Sequence, residues 1–382
     1  MVKNVVEPVF TEEEILGIRE GIDGVKRALP ARCYHDEDFY QFEVDNILKK
    51  NWMCVGRWDQ VENPGDYFTH NMFGESIIVV RDKKNELHAL LNVCQHRWSA
   101  VVEDGSGNAN LFMCPYHRWT YDLDGSLRGI AVQPMPEVDK KESSMPALKV
   151  EIWQGFIFVN FDQEAKPLAP QLEAINPYFE EYGASTYRTR GDVELVTTPW
   201  SFKFSVETAY EGYHHAGTHH DRVNHLEPAT STEPLAFGEI CGSYSMQSVD
   251  DAPEDFVHPF GHAPGSTEAR PRDRFFVIYP GLAVFLSSFQ MSYILIEHQS
   301  VAENKSATRQ AFAPWAIDSP NAEEVIKDLL VQTAAVQGED NFACTMLQKG
   351  ITSKSNVRSV IHPLEAQLNH YHNWYLDQCL KS

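Results

Sequence analysis

The sequence predicts an α+β protein: a small antiparallel β module inserted into a larger domain whose antiparallel sheet is flanked by helices. Three observations predict this. Short apolar runs separated by turn residues fill 52–161. A second series of such runs occupies 275–315. Apolar residues at helical spacing recur at 11–50, 323–350 and 365–380.

The elements follow in chain order. Thr11 ahead of Glu12, Glu13 and Glu14 reads as an exposed helix start, and Phe39, Phe42, Val44, Ile47 and Leu48 continue a helical pattern toward residue 50. The texture then changes to GESIIVVR, the turn DKKNE, LHALLNVC and, later, EIWQGFIFVNF, which read as antiparallel strands. A polar, proline-containing passage from Pro167 to Pro199 leads into the second region. There FFVIYPGLAVFLSSFQMSYILIEHQSVAENKSATRQAFAPW reads as several strands of a larger sheet, EEVIKDLLVQTAAVQGEDNFACTMLQKG as a long amphipathic helix, and EAQLNHYHNWYLDQCL as a closing helix. Internal repeats and low-complexity tracts are absent from the sequence.

With 382 residues, 43% hydrophobic and 12% aromatic, the chain is long enough for two domains and can bury a sizeable core. A formal charge of −22 argues against nucleic acid or an anionic membrane as partner and suits a partner with a basic patch. Neither an apolar leader nor an apolar run near 18 residues is present, so a soluble, cytoplasmic protein is expected. Seven dispersed cysteines do not read as a secreted disulfide framework, so some are free or bind metal.

Two stretches carry chemistry. In the β module, Cys94-x-His96 is followed after seventeen residues by Cys114-x2-His117. Four such ligands could hold zinc, but one intervening residue is poor zinc-finger spacing and no helix carries the second pair. The alternative is a [2Fe–2S] centre with two thiolates on one iron and two imidazoles on the other, which needs two hairpin loops each giving one Cys and one His. Buried cysteines beside incidental histidines would be the bland reading, and the ordered spacing of four ligand types argues against it.

The second stretch, AYEGYHHAGTHHDRVNH at 209–225, has five histidines, too many for one metal site. On a regular helix His215 and His219 share a face. His214 and His219 lie about 140° apart and converge only if the helix ends between them, which Gly217 permits. Glu211, three residues before His214, could orient that ring. Spacing alone leaves both pairs open.

Cys94-x-His96 and Cys114-Pro-Tyr-His117, followed by Trp-Thr-Tyr-Asp-Leu-Asp-Gly-Ser-Leu, together with the histidine stretch, resemble the large (α) subunit of the Rieske non-haem iron ring-hydroxylating oxygenases. The resemblance covers most of the chain. It implies an N-terminal part of the catalytic domain at 1–50, a Rieske [2Fe–2S] domain at 51–165 held through Cys94, His96, Cys114 and His117, and a catalytic mononuclear-iron domain at 166–382. The family segment resembling N-W-K-x3-E-N-x3-D-x2-Y/H is met here by Ser201-Phe202-Lys203, Glu207-Thr208, Glu211, Tyr213, His214 and His219. That registration implies His214 and His219 as Fe(II) ligands and sets His215, His220 and His225 aside. A late segment resembling E-D-x7-Q implies Asp340, rather than Glu339, as the carboxylate ligand of a facial triad.

The resemblance also implies a catalytic Glu211, bridging His117 of one subunit to His214 of another in a homotrimer. Activity on a small, aromatic substrate with O₂ follows, with electrons from a separate NAD(P)H-dependent reductase, with or without a ferredoxin, since no dinucleotide motif is found in this chain. A quaternary-amine monooxygenase is the alternative substrate reading, and a zinc-stabilised binding protein or a plain Rieske electron carrier the alternatives of other classes. The departures are Trp98 and Arg118, where small residues are usual, Thr208 for the usual Asn, and Glu211 where naphthalene-type members have Asp. The pocket is expected within 200–300, the stretch containing Phe260, Phe275, Phe276, Tyr279, Phe285, Phe289 and Tyr293.

Overall fold

The computed structural model describes residues 9–381 except 134, 192–193, 247–259, 261–272 and 356–358. The chain divides into two compact units. The smaller comprises 49–166 together with 297–299, and the larger comprises 1–48, 167–296 and 300–382.

The strands of the smaller unit all pair antiparallel. Its strands are β1 (Met53–Arg57), β2 (Asp66–Met72), β3 (Glu75–Arg81), β4 (Leu87–Leu91), β5 (Ser106–Asn108), β6 (Phe112–Met113), β7 (Thr120–Tyr121), β8 (Leu127–Gly129), β9 (Ala147–Trp153) and β10 (Phe156–Asn160). Seven form one sheet in the order β1-β10-β9-β4-β3-β2-β5, and β6-β7-β8 form a second, three-stranded sheet. Four successive apolar residues in β3 explain the arrangement. Side chains alternate across a strand, so Ile77 and Val79 join one core with Val55, Phe68 and Ile157. Ile78 and Val80 face the other way, into a core that also contains Cys94, Phe112, Cys114, Trp119 and Tyr121. Both faces of β3 are therefore buried, and the second face anchors the two loops that carry the Cys–His pairs.

The larger unit holds β11 (Arg188–Arg190), β12 (Val196–Thr198), β13 (Thr232–Phe237), β14 (Cys241–Met246), β15 (Asp273–Ile278), β16 (Leu282–Leu286), β17 (Gln290–His298) and β18 (Asn304–Phe312). They form one sheet in the order β11-β18-β17-β16-β15-β14-β13, with β12 also paired to β18. The run from 275 to 315 is thus four consecutive antiparallel strands, as the turn signals predict. The helix Ala322–Ile351 is 30 residues long and packs against the helix Phe202–Ala209. The helix Ala366–Lys381 closes the chain and packs on β14.

The N-terminal segment departs from a single helical stretch over 11–50. It consists of helices Glu12–Arg19, Arg32–His35 and Glu37–Asn46 with turns between. Thr11 caps the first in a capping box with Glu14, and left-handed Gly21 (φ 90°) and Gly24 (φ 76°) then break the helix.

Lys203 ties these helices together. Its ammonium lies 2.6 Å from Glu43 Oε1, with both side chains fully buried, and among the rings of Phe202 and Tyr375. It also donates to the Cys33 carbonyl at 2.8 Å. Burial raises the Glu43 pKa, and the adjacent Lys203 opposes that rise. Among the described residues no helix is long and apolar enough to cross a membrane.

Candidate functional site

The Cys94–His96 and Cys114–His117 loops of the smaller unit share one backbone design. The N–H of Trp98 donates to the Cys94 carbonyl at 2.9 Å, and the Cys94 N–H to the Ser99 carbonyl at 2.9 Å. Twenty residues on, the Arg118 N–H donates to the Cys114 carbonyl at 3.0 Å and the Cys114 N–H to the Trp119 carbonyl at 2.8 Å. Closing each loop this tightly forces the fourth residue after the cysteine into the left-handed region, with φ 56° at Trp98 and 60° at Arg118. These are the two positions where the sequence departs from small residues, so each carries a left-handed strain of about 1–2 kcal/mol.

Both cysteines are 1% exposed, whereas His96 and His117 are exposed, with ring centroids 4.6 Å apart. Trp119 stacks on His96 at 5.0 Å. The Tyr121 hydroxyl lies 3.3 Å from Cys94 Sγ, a contact of the kind that tunes cluster potentials. Burial alone would raise the Cys114 pKa. The backbone N–H groups of Tyr116 and His117 and the nearby Cys94 outweigh it and hold the thiol below its ordinary value, toward the thiolate a metal needs.

Among the described residues, only His214–His219–Asp340 and Asp82–Glu86–His88 bring three donor atoms within 4.8 Å of one another. The Cys94, His96, Cys114 and His117 donors form no such set, so they do not describe a single tetrahedral ion. Paired thiolates below paired imidazoles suit a two-iron cluster. The Asp82 group belongs to the β3–β4 turn, where Asp82 Oδ1 accepts the N–H groups of Lys84 and Glu86.

The larger unit resolves the histidine stretch. The helix Phe202–Ala209 ends before it, and only a short 3₁₀ turn, Tyr213–Ala216, follows. No helix runs through 215–219, so the shared-face argument for His215 and His219 loses its premise. His214 Nε2 lies 3.6 Å and His219 Nε2 3.0 Å from Asp340 Oδ1. His215 is outside that set: its Nδ1 lies 3.1 Å from the Glu227 carbonyl. His220 pairs with Asp221 at the surface and His225 is exposed.

Each converging imidazole is gripped from behind by a glutamate. His214 Nδ1 lies 2.9 Å from Glu211 Oε1, while Glu211 Oε2 accepts the His214 N–H at 2.9 Å. His219 Nδ1 lies 2.7 Å from Glu339 Oε2, and Arg222 Nε holds Glu339 Oε1 at 3.0 Å. Such carboxylates fix the tautomer, leaving Nε2 with its lone pair toward the metal position. From the sequence Glu339 is expected only as a rival ligand to Asp340. Successive helix residues point about 100° apart, so Asp340 faces the two Nε2 atoms while Glu339 reaches round to Nδ1.

The donor chemistry fits a metal. Asp340 Oδ1 is buried and makes no hydrogen bond, although His219 Nε2 lies 3.0 Å away, because with Nδ1 donating to Glu339 that nitrogen presents a lone pair and no proton. Three lone pairs directed at a common point leave just such an orphan, which a cation satisfies. Burial would lower the His219 pKa, but the Asp340 and Glu339 carboxylates reverse this and raise it. Burial, aided by His214 and His219, pushes His215 down to about 3.

Two cavities meet at His214 and Thr208. The larger, about 1370 Å³, faces Glu207, Glu211, Tyr213 and Glu365. The smaller, about 350 Å³, contains the converging Nε2 side, with Phe275, Val284, Phe285, Tyr293, Leu329 and Val336 among its walls. Of the seven aromatics expected near the substrate, Phe275, Phe285 and Tyr293 line this cavity. Phe276 and Tyr279 do not: β15 alternates, so Phe275 faces the cavity while Phe276 packs on Phe179 at 4.8 Å, and Tyr279, just past the strand, meets Tyr210 and His370 instead. Phe260 and Phe289 pack on each other at 5.6 Å and lie off the cavity wall. The rest of the expected lining stretch at 247–259 and 261–272 lies outside the described residues. Thr208, in place of an amide, contacts Cys344 Sγ at 3.6 Å.

A sheet-borne pair of Cys–His loops together with a two-histidine, one-carboxylate cradle defines a class of protein. The chain belongs to the family of ring-hydroxylating alpha subunits: residues 183–381 match its catalytic domain and residues 51–141 match the Rieske [2Fe–2S] domain. It therefore carries a domain for a [2Fe–2S] cluster and one that binds a mononuclear iron. Over 195 residues it is 33% identical to the alpha subunit of benzene 1,2-dioxygenase from Pseudomonas putida, covering 49% of this chain and 43% of the relative. Over 197 residues it is 36% identical to the carnitine monooxygenase oxygenase subunit of Acinetobacter pittii, covering 50% of this chain and 52% of the relative. The chain thus spans about half the length of the relatives it matches. A crystal structure of a quaternary ammonium Rieske monooxygenase shares the fold, with TM-score 0.79 and 22% identity over 93% of this chain and 96% of that one.

Proposed function

We propose that this chain is the terminal oxygenase of a multicomponent Rieske system, a cytoplasmic enzyme that hydroxylates or oxidatively demethylates a small, neutral, largely aromatic substrate. The observation that carries the reading is the convergence of His214 Nε2, His219 Nε2 and Asp340 Oδ1, each imidazole held from behind by a glutamate. In this reading His214, His219 and Asp340 hold Fe(II), and Cys94, His96, Cys114 and His117 hold the cluster. The iron supplies activation of O₂ and the cluster supplies single electrons. The chain's own residues divide the labour. His214 stands between the cavities, with Nδ1 bound to Glu211 and Nε2 turned toward Asp340.

Glu211 is 7% exposed, and each of its oxygens has accepted one hydrogen bond within this chain, which leaves lone pairs free for a further donor. That donor is His117 of a neighbouring copy in a homotrimer, with a separate NAD(P)H-dependent reductase, directly or through a ferredoxin, reducing the cluster. The smaller cavity lies at the small end of the roughly 300–1,000 Å³ typical of ligand sites. No Lys or Arg is among its described lining residues. A carboxylated quaternary amine would find no cationic partner there, which favours the neutral aromatic substrate.

Protein from iron-replete growth is expected to be red-brown, with about three irons per chain by the ligand sets above. Glu211→Gln replaces an acceptor oxygen by a donor that cannot pair with an imidazole N–H. Both centres then assemble and the partner still reduces the cluster, but its reoxidation by O₂ with substrate slows by orders of magnitude in stopped-flow absorbance. A colourless, zinc-loaded protein ends the oxygenase reading. Wild-type reoxidation in the Glu variant ends the bridge.

A further inference from the structure

His215 has no task in the scheme above. It stands in the histidine stretch, is 5% exposed, and lines the smaller cavity beside His214 and His219. Its ring centroid lies 4.8 Å from that of His214 and 5.4 Å from that of His219, yet it takes no part in the converging donor set. Its Nδ1 lies 3.1 Å from the Glu227 carbonyl oxygen. A carbonyl can only accept, so Nδ1 carries the proton and donates. In the neutral ring, which burial favours, Nε2 is then a lone-pair acceptor on the edge not used by Glu227.

Several other polar groups of the cavity wall are spent on one another or on residues behind it. Gln290 donates to Ser292 at 3.2 Å and to Gln310 at 2.9 Å. Thr308 donates to Gln337, whose amide donates to Asn341 at 3.0 Å. Phe275, Val284, Phe285, Leu329 and Val336 supply the apolar part of the wall. Among the described residues no donor is seen at His215 Nε2, and an acceptor lining the cavity gains when a ligand supplies one.

We infer that His215 is a specificity-determining residue whose Nε2 accepts a hydrogen bond from the substrate, so that the preferred substrate is an aromatic ring bearing an O–H or N–H group, a phenol or aniline in class, rather than a plain hydrocarbon. The inference rests on the oxygenase reading for the meaning of the pocket, not for the binding itself. It orients the ring as well, because the donor substituent is fixed beside His214 and His219 and a neighbouring ring carbon is turned toward the metal position.

The test compares two probes of like size, phenol and benzene, titrated calorimetrically into wild type and H215N. The Asn NH2 keeps a donor for the Glu227 carbonyl, and the shorter side chain places no atom where Nε2 stood, its own amide oxygen lying nearer the backbone, so a purely structural role is preserved in this variant. Phenol affinity is expected to fall about tenfold while benzene affinity and melting temperature hold. A fall by the same factor for both probes, or no fall for either, overturns the inference. H215V, which lacks both functions and keeps an apolar wall, gives the same phenol-to-benzene readout if the Asn variant fails to fold. Iron content is measured on the same samples. Wild type that holds no iron sinks the oxygenase reading, and the probe comparison still decides the role of His215.

Discussion

Glu339→Ala separates an orienting carboxylate from a liganding one. Glu339 Oε2 lies 2.7 Å from His219 Nδ1, and a hydrogen bond to a charged group contributes about 1.5–3 kcal/mol. Its side chain is 31% exposed, so water replaces part of what is lost. The lower end applies, about 1.5 kcal/mol, or a roughly tenfold weaker affinity for the metal. Asp340→Ala removes a charged ligand oxygen, and its loss should exceed the roughly hundredfold that bounds outer-shell residues. Anaerobic titration of metal-depleted protein with Fe(II), and with Co(II) as a spectroscopic stand-in, measures both. The visible spectrum of the cluster serves as an internal control for folding of the smaller unit. Wild-type affinity in the Glu339 variant would remove its orienting role. A loss as large as that of Asp340→Ala would make Glu339 a ligand and break the assignment of the site.

The remaining predictions concern the scaffold and pH. Lys203→Ala strands the fully buried Glu43 carboxylate 2.6 Å from its lost partner and should cost about 3–5 kcal/mol, seen as a large fall in melting temperature. K203M/E43L should lose less, and a single variant as stable as wild type would contradict the buried pair. Gly242→Ala drives a Cβ into the Tyr210 hydroxyl, beside the Tyr210–Tyr279 hydroxyl contact of 3.1 Å. It should destabilise by about 1–3 kcal/mol, and an unchanged melting temperature would mean the segment yields freely. His215 titrates at about 3 when folded against an ordinary 6.5. The unfolded chain therefore takes up the proton first, and the His215 share of stability, complete above pH 6.5, is lost as pH falls toward 3. Melting of metal-free protein across that window should show a shallower decline in H215N, and identical slopes would refute it.

What the sequence determined by itself is what depends on near neighbours. Four ligand types in the order Cys94, His96, Cys114 and His117 declare a metal module, because each pair sits within one loop. The apolar run of β3 declares a strand, and the apolar period of 323–350 declares a long helix. What only the tertiary structure decided involves partners far apart in the chain. His219 and Glu339 are 120 residues apart, so no local spacing could show that Glu339 grips Nδ1 while Asp340 meets Nε2. The choice between His214 and His215 turned on where a helix stops. The helix Phe202–Ala209 stops at the start of the histidine stretch, well before Gly217, which could have ended a helix between His214 and His219. Phe275 and Phe276 were equal candidates in the sequence. Registration of β15 between β14 and β16 turned one toward the cavity and the other into the core. The strain at Trp98 and Arg118 is likewise invisible to composition, since it arises when each loop folds its fourth residue back onto its own cysteine carbonyl. Residue identity fixed which chemistry was available, and long-range packing fixed which lone pair points where.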